Sequence, residues 1–404
     1  MTIKVPGADG NAAGGAGFFS LSRNCLIALG LAGIGARIWL WWVSIGSNDA
    51  VIWAGHAQSV LADGLAQTYR LTHQGVTQFN HPPLMGLYAA QVWTWSHGSV
   101  WEFARWLKLP GMAGEALSMW AMWRFVGLRA SVVYAWLPAA ILVSSYHGST
   151  DCLCAALVLV AALAFDKEHY FLSGLLWGAS LNVKLLPLVL LPLVFLGAPN
   201  RKAWLRLACG FALGMLPFLP YVLAAGQAMY QTMIRYSSLA DNWGLVALLN
   251  RGKESPALGR IFLPMRLWWL TAGRYVILVA VVGVALLSRY RRKLPMTEQA
   301  AMGAALFLVL TPGFGVQYVV FALPLLCVAD FAEGVRWGWI SGLFIGALYW
   351  MFRVSWMPLQ SMHYVPFQGP AILLGMMAWA VLVHFLWAHV RATFSDAPSR
   401  MSGK

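Results

Sequence analysis

Charged residues are scarce in this chain. Asp, Glu, Lys and Arg make up 10% of its 404 residues, whereas they account for about 25% of an average soluble domain. Hydrophobic residues make up 60%, against roughly 45–50% in soluble domains. Long apolar runs recur from Asn24 to the C-terminal region, and no polar block of more than about fifty residues separates them. This composition excludes a soluble fold and predicts one integral membrane domain.

Acidic residues are especially few, with 14 Asp and Glu against 28 Lys and Arg and a formal net charge of +14. In a soluble protein such an excess of positive charge would suggest nucleic-acid binding. In a chain with many apolar runs, basic residues instead collect in cytoplasmic loops and set the topology. We therefore expect membrane lipids, and no nucleic acid, among the partners of this protein.

Cysteine is also rare. The five cysteines lie in or beside apolar runs, and Cys152 with Cys154 forms a C-x-C pair that lacks a second pair of ligands. We expect these residues to serve in packing, and we predict neither a disulfide bond nor a metal site.

The apolar runs predict an all-α polytopic bundle of about twelve transmembrane helices. Residues 1–23 are rich in Gly and Ala and predict a disordered cytoplasmic tail, residues 24–390 a single transmembrane domain, and residues 391–404 a second cytoplasmic tail. Several runs are shorter than the roughly 20 residues that a bilayer requires, so broken or partly inserted helices are expected. The predicted spans are 24–43, 105–125, 130–146, 151–166, 170–184, 185–198, 203–224, 271–288, 297–312, 316–330, 337–353 and 370–390.

Clusters of basic residues predict the orientation of the bundle, because such residues favour the cytoplasmic side. Twelve crossings with both termini inside place every cluster there. Residues 81–95 would break this pattern as a further crossing, so we predict a membrane-seated, non-spanning helix in the first outer loop. The clusters are Arg124 with Arg129, Arg201 with Lys202 and Arg206, the run 289–293, and Arg391.

Most other ionisable residues then fall at the outer face. Asp49 directly follows the first span, where a carboxylate either caps a helix or acts as a general base; Asp63 and Asp151 are alternatives for that base. Lys184 lies between two apolar stretches, where it either snorkels to lipid headgroups or binds a phosphate group. A series of outer basic residues that begins at Arg235 fits an anionic ligand or anionic lipids.

Four sequence strings stand in a recognisable order over residues 40–330. They are the first-loop acidic residue Asp49; Pro82-Pro83-Leu84; Gly148-x-x-Asp151-x-Leu153 followed by Lys184-x-x-Pro187-Leu188-x-x-Leu191-Pro192; and Gln317-Tyr318-x-x-x-x-Leu323-Pro324. In this order they resemble the GT-C superfamily of glycosyltransferases that use lipid-linked sugars, particularly the polyprenol-phosphate-mannose-dependent group around glycosyltransferase family 87.

The resemblance implies an inverting transfer of a hexose, with mannose the leading candidate, from a polyprenyl-phosphate-linked donor to a lipid or glycan acceptor. Asp49 would be the catalytic base. Superfamily members with a pyrophosphate-linked donor carry paired carboxylates for a divalent ion, whereas Asp151 has no acidic neighbour; this favours a monophosphate donor, with no metal and no cofactor. The residues that would bind the donor phosphate and the substrates are His81, Asp151, Lys184, Arg235, Asn242, Gln317 and Tyr318.

The implied location is a bacterial inner membrane with the site facing the periplasm, or an endoplasmic reticulum membrane in a eukaryote. The alternative from another class is a flippase or transporter of an anionic lipid, which would use the same outer cations. Such a protein should show inverted repeats and ionisable residues near the middle of the membrane. The sequence shows no convincing repeat, which favours the enzyme.

Overall fold

The computed structural model describes residues 21–71, 78–236, 243–254, 257–351 and 369–395, and every regular element in these ranges is helical. The predicted class, an all-α membrane protein, is confirmed at this level. The helices are α1 (Arg23–Val43), α2 (Asp49–Asp63), α3 (Leu65–Thr68), α4 (Pro83–Trp95), α5 (Val100–Phe125), α6 (Leu128–Ala135), α7 (Pro138–Ile141), α8 (Asp151–Asp166), α9 (Tyr170–Leu181), α10 (Leu191–Leu196), α11 (Arg201–Met215), α12 (Leu219–Met229), α13 (Gly244–Lys253), α14 (Gly259–Tyr290), α15 (Met296–Leu310), α16 (Val319–Ala329), α17 (Phe331–Met351) and α18 (Pro370–Ser395). Short turns of π-helix (Leu142–His147 and Tyr230–Ile234) and of 3-10 helix (Leu186–Leu190, Leu216–Phe218 and Val316–Tyr318) join some of them.

Four helical segments of the described chain are long and apolar enough to cross a membrane. A fifth appears if the pair Leu128–Ala135 and Pro138–His147, bent by 59°, counts as one span. The described residues thus contain four or five long spans rather than the predicted count of about twelve, several of which were expected to be short or partly inserted. The reason is length: α9 has 12 residues and is about 18 Å long, against a hydrocarbon core of about 30 Å. The four segments are Arg23–Val43, Arg201–Ile234, Gly259–Tyr290 and Pro370–Phe394.

Several predicted boundaries also need correction. The span predicted at 271–288 begins earlier, because α14 runs unbroken from Gly259 through Pro264. The span predicted at 203–224 continues through short turns to Ile234. Residues 81–95 do form a short helix, α4, of 13 residues. The span predicted at 370–390 is α18, which continues to Ser395; residues 1–20 lie outside the described residues.

The long helices lie at the periphery of the bundle and shorter helices fill its centre. Only 11% of the spanning window of α1 is buried, and Leu223 of α12 and Val279 of α14 are 78% and 71% exposed. In α16, by contrast, every residue from Val319 to Cys327 is buried. An apolar exterior around a packed interior is what a lipid solvent requires.

Antiparallel packing brings alternate helix termini to the same end of the bundle. One end, called the site end, contains the C-terminal ends of α1, α9 and α17 and the start of α8. The opposite end, called the basic end, contains the C-terminal ends of α5 and α14 and the start of α11, with Arg124, Arg289 and Arg201. At the basic end the Asp166 carboxylate accepts the main-chain N–H of Met296, 2.5 Å away, at the start of α15.

Candidate functional site

The loop that leads to Asp49 is fixed against the turn that precedes α8. Residues 44–48 connect α1 to α2, and Gly46 has a positive φ of 93°. A side chain at Gly46 would collide with the carbonyl oxygen of Tyr146, so only glycine permits this approach. The Ser47 hydroxyl donates a hydrogen bond to the carbonyl oxygen of His147 at 3.3 Å. The start of α2 is thereby held beside His147.

Asp49 is the first residue of α2, and its carboxylate is bound by a histidine. Asp49 Oδ2 lies 3.0 Å from His147 Nε2, and His147 Nδ1 lies 2.6 Å from the hydroxyl oxygen of Tyr349. An ionised carboxylate can only accept, so Nε2 carries a proton. Nδ1 accepts from the Tyr349 hydroxyl when the ring is neutral and donates to it when the ring is charged. The His147 side chain is 5% exposed and that of Asp49 is 44% exposed. A buried Tyr–His pair thus orients a carboxylate that remains open to a ligand.

The charge state of Asp49 follows from its neighbours. Burial raises its pKa, but the charge of His147 and the hydrogen bond from His147, together with the charge of Lys184, outweigh this effect and lower the pKa below the ordinary aspartate value. Asp49 is therefore ionised at neutral pH. The N-cap residue of α2 is Asn48, not Asp49, so the carboxylate is engaged with His147 rather than in capping.

Asp151 and Lys184 form an ion pair beside Tyr318. Lys184 Nζ lies 3.1 Å from Asp151 Oδ2 and 5.8 Å from the centre of the Tyr318 ring. The Asp151 side chain is fully buried and that of Lys184 is 13% exposed, while Ser149 also donates its hydroxyl to Asp151. Because the Asp151 carboxylate is closed to solvent, its place in the structure is to fix Lys184 rather than to accept a proton from a ligand.

His81 lies in an aromatic group next to these charges. Its ring centre is 4.2 Å from that of Trp53 and 5.9 Å from that of Phe79. Burial, and then the charge of Lys184, hold the pKa of His81 well below the ordinary histidine value, so the ring is neutral. Its Nδ1 atom is buried and has no partner within the described part of the chain. A neutral imidazole whose nitrogen lacks a partner retains the capacity for one more hydrogen bond.

Lys108 of α5 packs against the two loops that carry Asp49 and His147. It is 1% exposed, and its Nζ donates to the carbonyl oxygen of Ser44 at 2.5 Å and to the Ser44 hydroxyl at 3.0 Å. A Cβ atom on Gly148 would lie 2.9 Å from Lys108 Cγ, and one on Gly46 would lie 3.3 Å from its Cε. The aliphatic part of the Lys108 side chain thus packs against the loop at Gly46 and the turn at Gly148, while its ammonium group is hydrogen-bonded to the end of α1.

Two predicted site residues stand apart from this arrangement, and a third lies outside the described residues. Arg235 is exposed and donates to the side chain of Gln231 at 3.2 Å rather than to a member of the site. Gln317 lies half-buried in the 3-10 turn next to Tyr318. Asn242 falls outside the described residues.

The structure brings together or electrostatically couples five of the predicted site residues, namely Asp49, His81, Asp151, Lys184 and Tyr318. Sequence reasoning did not single out three others that the site uses, namely His147, Tyr349 and Lys108. His147 precedes Asp151 in the string His-Gly-Ser-Thr-Asp, which offers a weak local signal. Tyr349 and Lys108 lie in helical runs and offer none.

In the described residues, no group of three or more His, Cys, Asp or Glu side chains is arranged to hold a metal ion. No protein-family model matches the chain, and no curated protein sequence matches it either. Chemically, the site offers a half-exposed ionised carboxylate, a fixed ammonium group and a neutral imidazole with an aromatic wall. Such a set suits a ligand that carries both a phosphate group and hydroxyl groups.

Proposed function

We propose that the protein is an inverting glycosyltransferase that moves a hexose, with mannose as the leading candidate, from a polyprenyl-phosphate carrier to a lipid or glycan acceptor. The observation that carries the proposal is Asp49, oriented by His147 and lying in the field of the buried Lys184. Glycosyl transfer from a phosphate-linked donor needs a base for the acceptor and a cation for the leaving group. The resemblance of the sequence strings to the GT-C superfamily supports the same reaction.

In the proposed reaction the Asp49 carboxylate accepts the proton of the acceptor hydroxyl as that oxygen attacks the anomeric carbon of the sugar. The new carbon–oxygen bond forms on one face of the sugar while the bond to the phosphate oxygen breaks on the opposite face. The electron pair of the broken bond leaves with polyprenyl phosphate. The Lys184 ammonium group stabilises the charge that develops on this phosphate, and Asp151 keeps the ammonium group in place.

Two further groups complete the proposed site. His147 and Tyr349 act as positioning residues, because they hold one carboxylate oxygen of Asp49 and leave the exposed part of the side chain to the acceptor. His81, whose buried Nδ1 has no partner in the described part of the chain and whose ring lies against Trp53, binds a sugar hydroxyl. The isoprenoid chain of the donor extends from the site along the apolar helices that face the lipid.

The proposal includes an orientation in the membrane. The basic end faces the cytoplasm, because lysine and arginine favour that side, and the site end faces the periplasm or the lumen. In a bacterium this membrane is the inner membrane. The shorter helices then complete a bundle of about twelve crossings, some of them thinner than the bilayer.

The experiment that tests the proposal measures sugar transfer from synthetic polyprenyl-phosphate-mannose by the purified protein in detergent, with EDTA present and a crude lipid extract as acceptor. Asp49→Asn should lower the rate about 10²- to 10⁴-fold. Asp63→Asn is the matched control, because Asp63 ends the same helix, α2, and is exposed; it should retain the wild-type rate. If Asp49→Asn transfers sugar normally, the base lies elsewhere. If wild-type protein transfers no sugar from any polyprenyl-phosphate donor, the proposed function is wrong.

One observation favours the second candidate, a flippase or transporter of an anionic lipid. Arg37 and Glu115 form an ion pair 3.3 Å long inside the bundle, with side chains 3% and 1% exposed. Ionisable groups at membrane depth are typical of transport pathways. The test is movement of a fluorescent anionic lipid between the leaflets of reconstituted vesicles. Movement that Glu115→Gln abolishes, without any sugar transfer, would place this function first.

A further inference from the structure

A groove flanked by three basic residues opens at the basic end, between the first turn of α9 and the first half of α11. Its volume is about 470 Å³, and it is called the basic groove below. It lies at the opposite end of the bundle from Asp49 and shares no residue with the candidate site. The residues that line it are Phe171, Arg201, Lys202, Leu205, Arg206 and Cys209.

The walls of the basic groove are rigid, because α9 and α11 pack backbone against backbone. Gly174 and Gly178 of α9 face Gly210 and Gly214 of α11, and a Cβ atom on any of the four would collide with the main chain of the other helix. Close approach through small residues is a common mode of helix association in membranes. The groove is therefore a fixed feature between two locked helices rather than a gap between loosely packed ones.

The positive charges of the groove are uncompensated. Arg201, Lys202 and Arg206 are all exposed, and no carboxylate in the described part of the chain forms an ion pair with them. Lys202 and Arg206 are four residues apart and so share one face of α11.

The position of these cations in the helix is also unfavourable. The N-terminus of a helix carries a partial positive charge, so acidic residues are preferred there. The first turn of α11 has no acidic residue and instead begins with Arg201 and Lys202. A bound anion at this point would relieve both the mutual repulsion of the side chains and the opposition of the helix dipole.

An apolar path leads away from the cations along the same helical segment. Leu205 is 47% exposed, and Leu213, Leu216 and Leu223 further along are 48%, 52% and 78% exposed. These residues recur at intervals that match whole helical turns, so they follow one face of the segment. Phe171 adds an exposed ring on the facing wall. A ligand that fits this surface has an anionic head and an apolar tail.

We propose that the basic groove binds the phosphate-bearing headgroup of an anionic membrane lipid, with an acyl chain along the exposed leucines of the segment 201–234. The proposal does not depend on the function proposed for the site end. Free phosphate shares the chemistry of the headgroup but cannot use the apolar path, which gives the experiment a way to separate the two ligands.

Cys209 provides a reporter inside the groove. Among the five free cysteines, Cys25 and Cys209 are exposed and the other three are buried, and Cys25 lies on α1, away from the groove residues. The experiment follows alkylation of both thiols by N-ethylmaleimide in detergent micelles, with peptide mass spectrometry as the readout. We expect an anionic phospholipid to slow alkylation of Cys209 relative to Cys25, whereas a zwitterionic phospholipid with the same chains and millimolar inorganic phosphate leave the ratio unchanged.

Variants test whether the protection of Cys209 from alkylation depends on the basic side chains of the groove. Lys202→Gln with Arg206→Gln should weaken protection by the anionic lipid about tenfold or more in concentration, since each basic residue near a membrane surface adds roughly a factor of five to anionic-lipid binding. Arg124→Gln with Arg129→Gln is the charge-matched control outside the groove and should leave protection unchanged. Equal protection by the zwitterionic lipid, or full protection in the Lys202/Arg206 variant, would overturn the proposal. Protection by inorganic phosphate alone would replace the lipid with a free anion.

Discussion

Replacement of Glu115 by Ala should strongly destabilise the folded protein, because it leaves Arg37 as an unpaired buried charge. The Arg37 guanidinium lies 3.3 Å from Glu115 Oε2, and the Tyr134 hydroxyl donates to Glu115 Oε1 at 3.3 Å. Arg37 also donates to the main-chain carbonyls of Gly33, in its own helix, and of Ala135, at the end of α6. The guanidinium therefore cannot move to solvent without breaking the contact between α1 and α6.

The magnitude follows from the distance and the burial. Two unit charges 3.3 Å apart attract each other by about 5 kcal/mol at an effective dielectric constant of about 20. Much of this attraction offsets the desolvation of the two groups, but removal of one partner from a buried pair typically costs about 3–5 kcal/mol. Glu115→Gln keeps the volume and an acceptor for Tyr134 and loses only the charge, so we expect a smaller loss of about 1–3 kcal/mol.

The assay is unfolding of the purified protein in mixed micelles by titration with a denaturing detergent, which gives the free energy of unfolding. Glu102→Ala is the matched control on the same helix, since Glu102 pairs with Arg105 but its side chain is 47% exposed; exposed pairs contribute about 0–1 kcal/mol. A loss for Glu115→Ala no larger than that for Glu102→Ala would refute the reasoning, because it would mean that the buried pair adds nothing to stability.

Two further predictions concern the site end. Tyr349→Phe removes the hydroxyl that is hydrogen-bonded to His147 Nδ1. It should lower the maximal rate of sugar transfer about tenfold, the equivalent of one hydrogen bond of about 1.4 kcal/mol, with the KM for the donor unchanged. Tyr170→Phe at the basic end should have no effect, and a loss confined to KM would contradict the positioning role. The lowered pKa of Asp49 keeps its carboxylate ionised as the pH falls, and protonation would remove both its ability to accept a proton and its contribution to stability. The acid side of a plot of kcat/KM against pH should therefore fall only below about pH 4, since an ordinary aspartate titrates near 3.9; a fall that begins above pH 5 would show that another group is the base.

The helices that the sequence predicts well are those with long, uninterrupted apolar runs. The first span, predicted at 24–43, is α1 at Arg23–Val43, and the span predicted at 316–330 contains α16 at Val319–Ala329. The errors arise where a segment forms a helix although its charged residues lower its hydropathy. Residues 259–270 carry Arg260 and Arg266, so hydropathy assigns them to a loop, yet they continue α14 because nothing in the sequence stops the helix there.

For the candidate site, the sequence could identify some of the residues but not the contacts between them. Asp49, Asp151 and Lys184 could be found because each is an ionisable residue at the edge of an apolar run, where such a residue is costly and therefore informative. The pairing of Asp151 with Lys184 spans 33 residues and depends on the antiparallel packing of α8 and α9, which short connections favour. The sequence could thus place these groups at one end of the bundle without defining which of them touch.

The role of Asp49 depends on contacts that no local pattern contains. His147 lies 98 residues from Asp49 in the chain, and Tyr349 lies a further 202 residues away. In its local sequence alone Asp49 fits a helix cap better than a base, because Asp is a favoured residue at the start of a helix. In the structure the loop at Gly46 and the turn at Gly148 both pack on Lys108, and the carboxylate lies against His147 and stays partly exposed. The geometry of the Asp49 carboxylate is therefore set by α5 and α17, helices that carry no recognisable motif, and substitutions there should alter the site as strongly as substitutions in the loops.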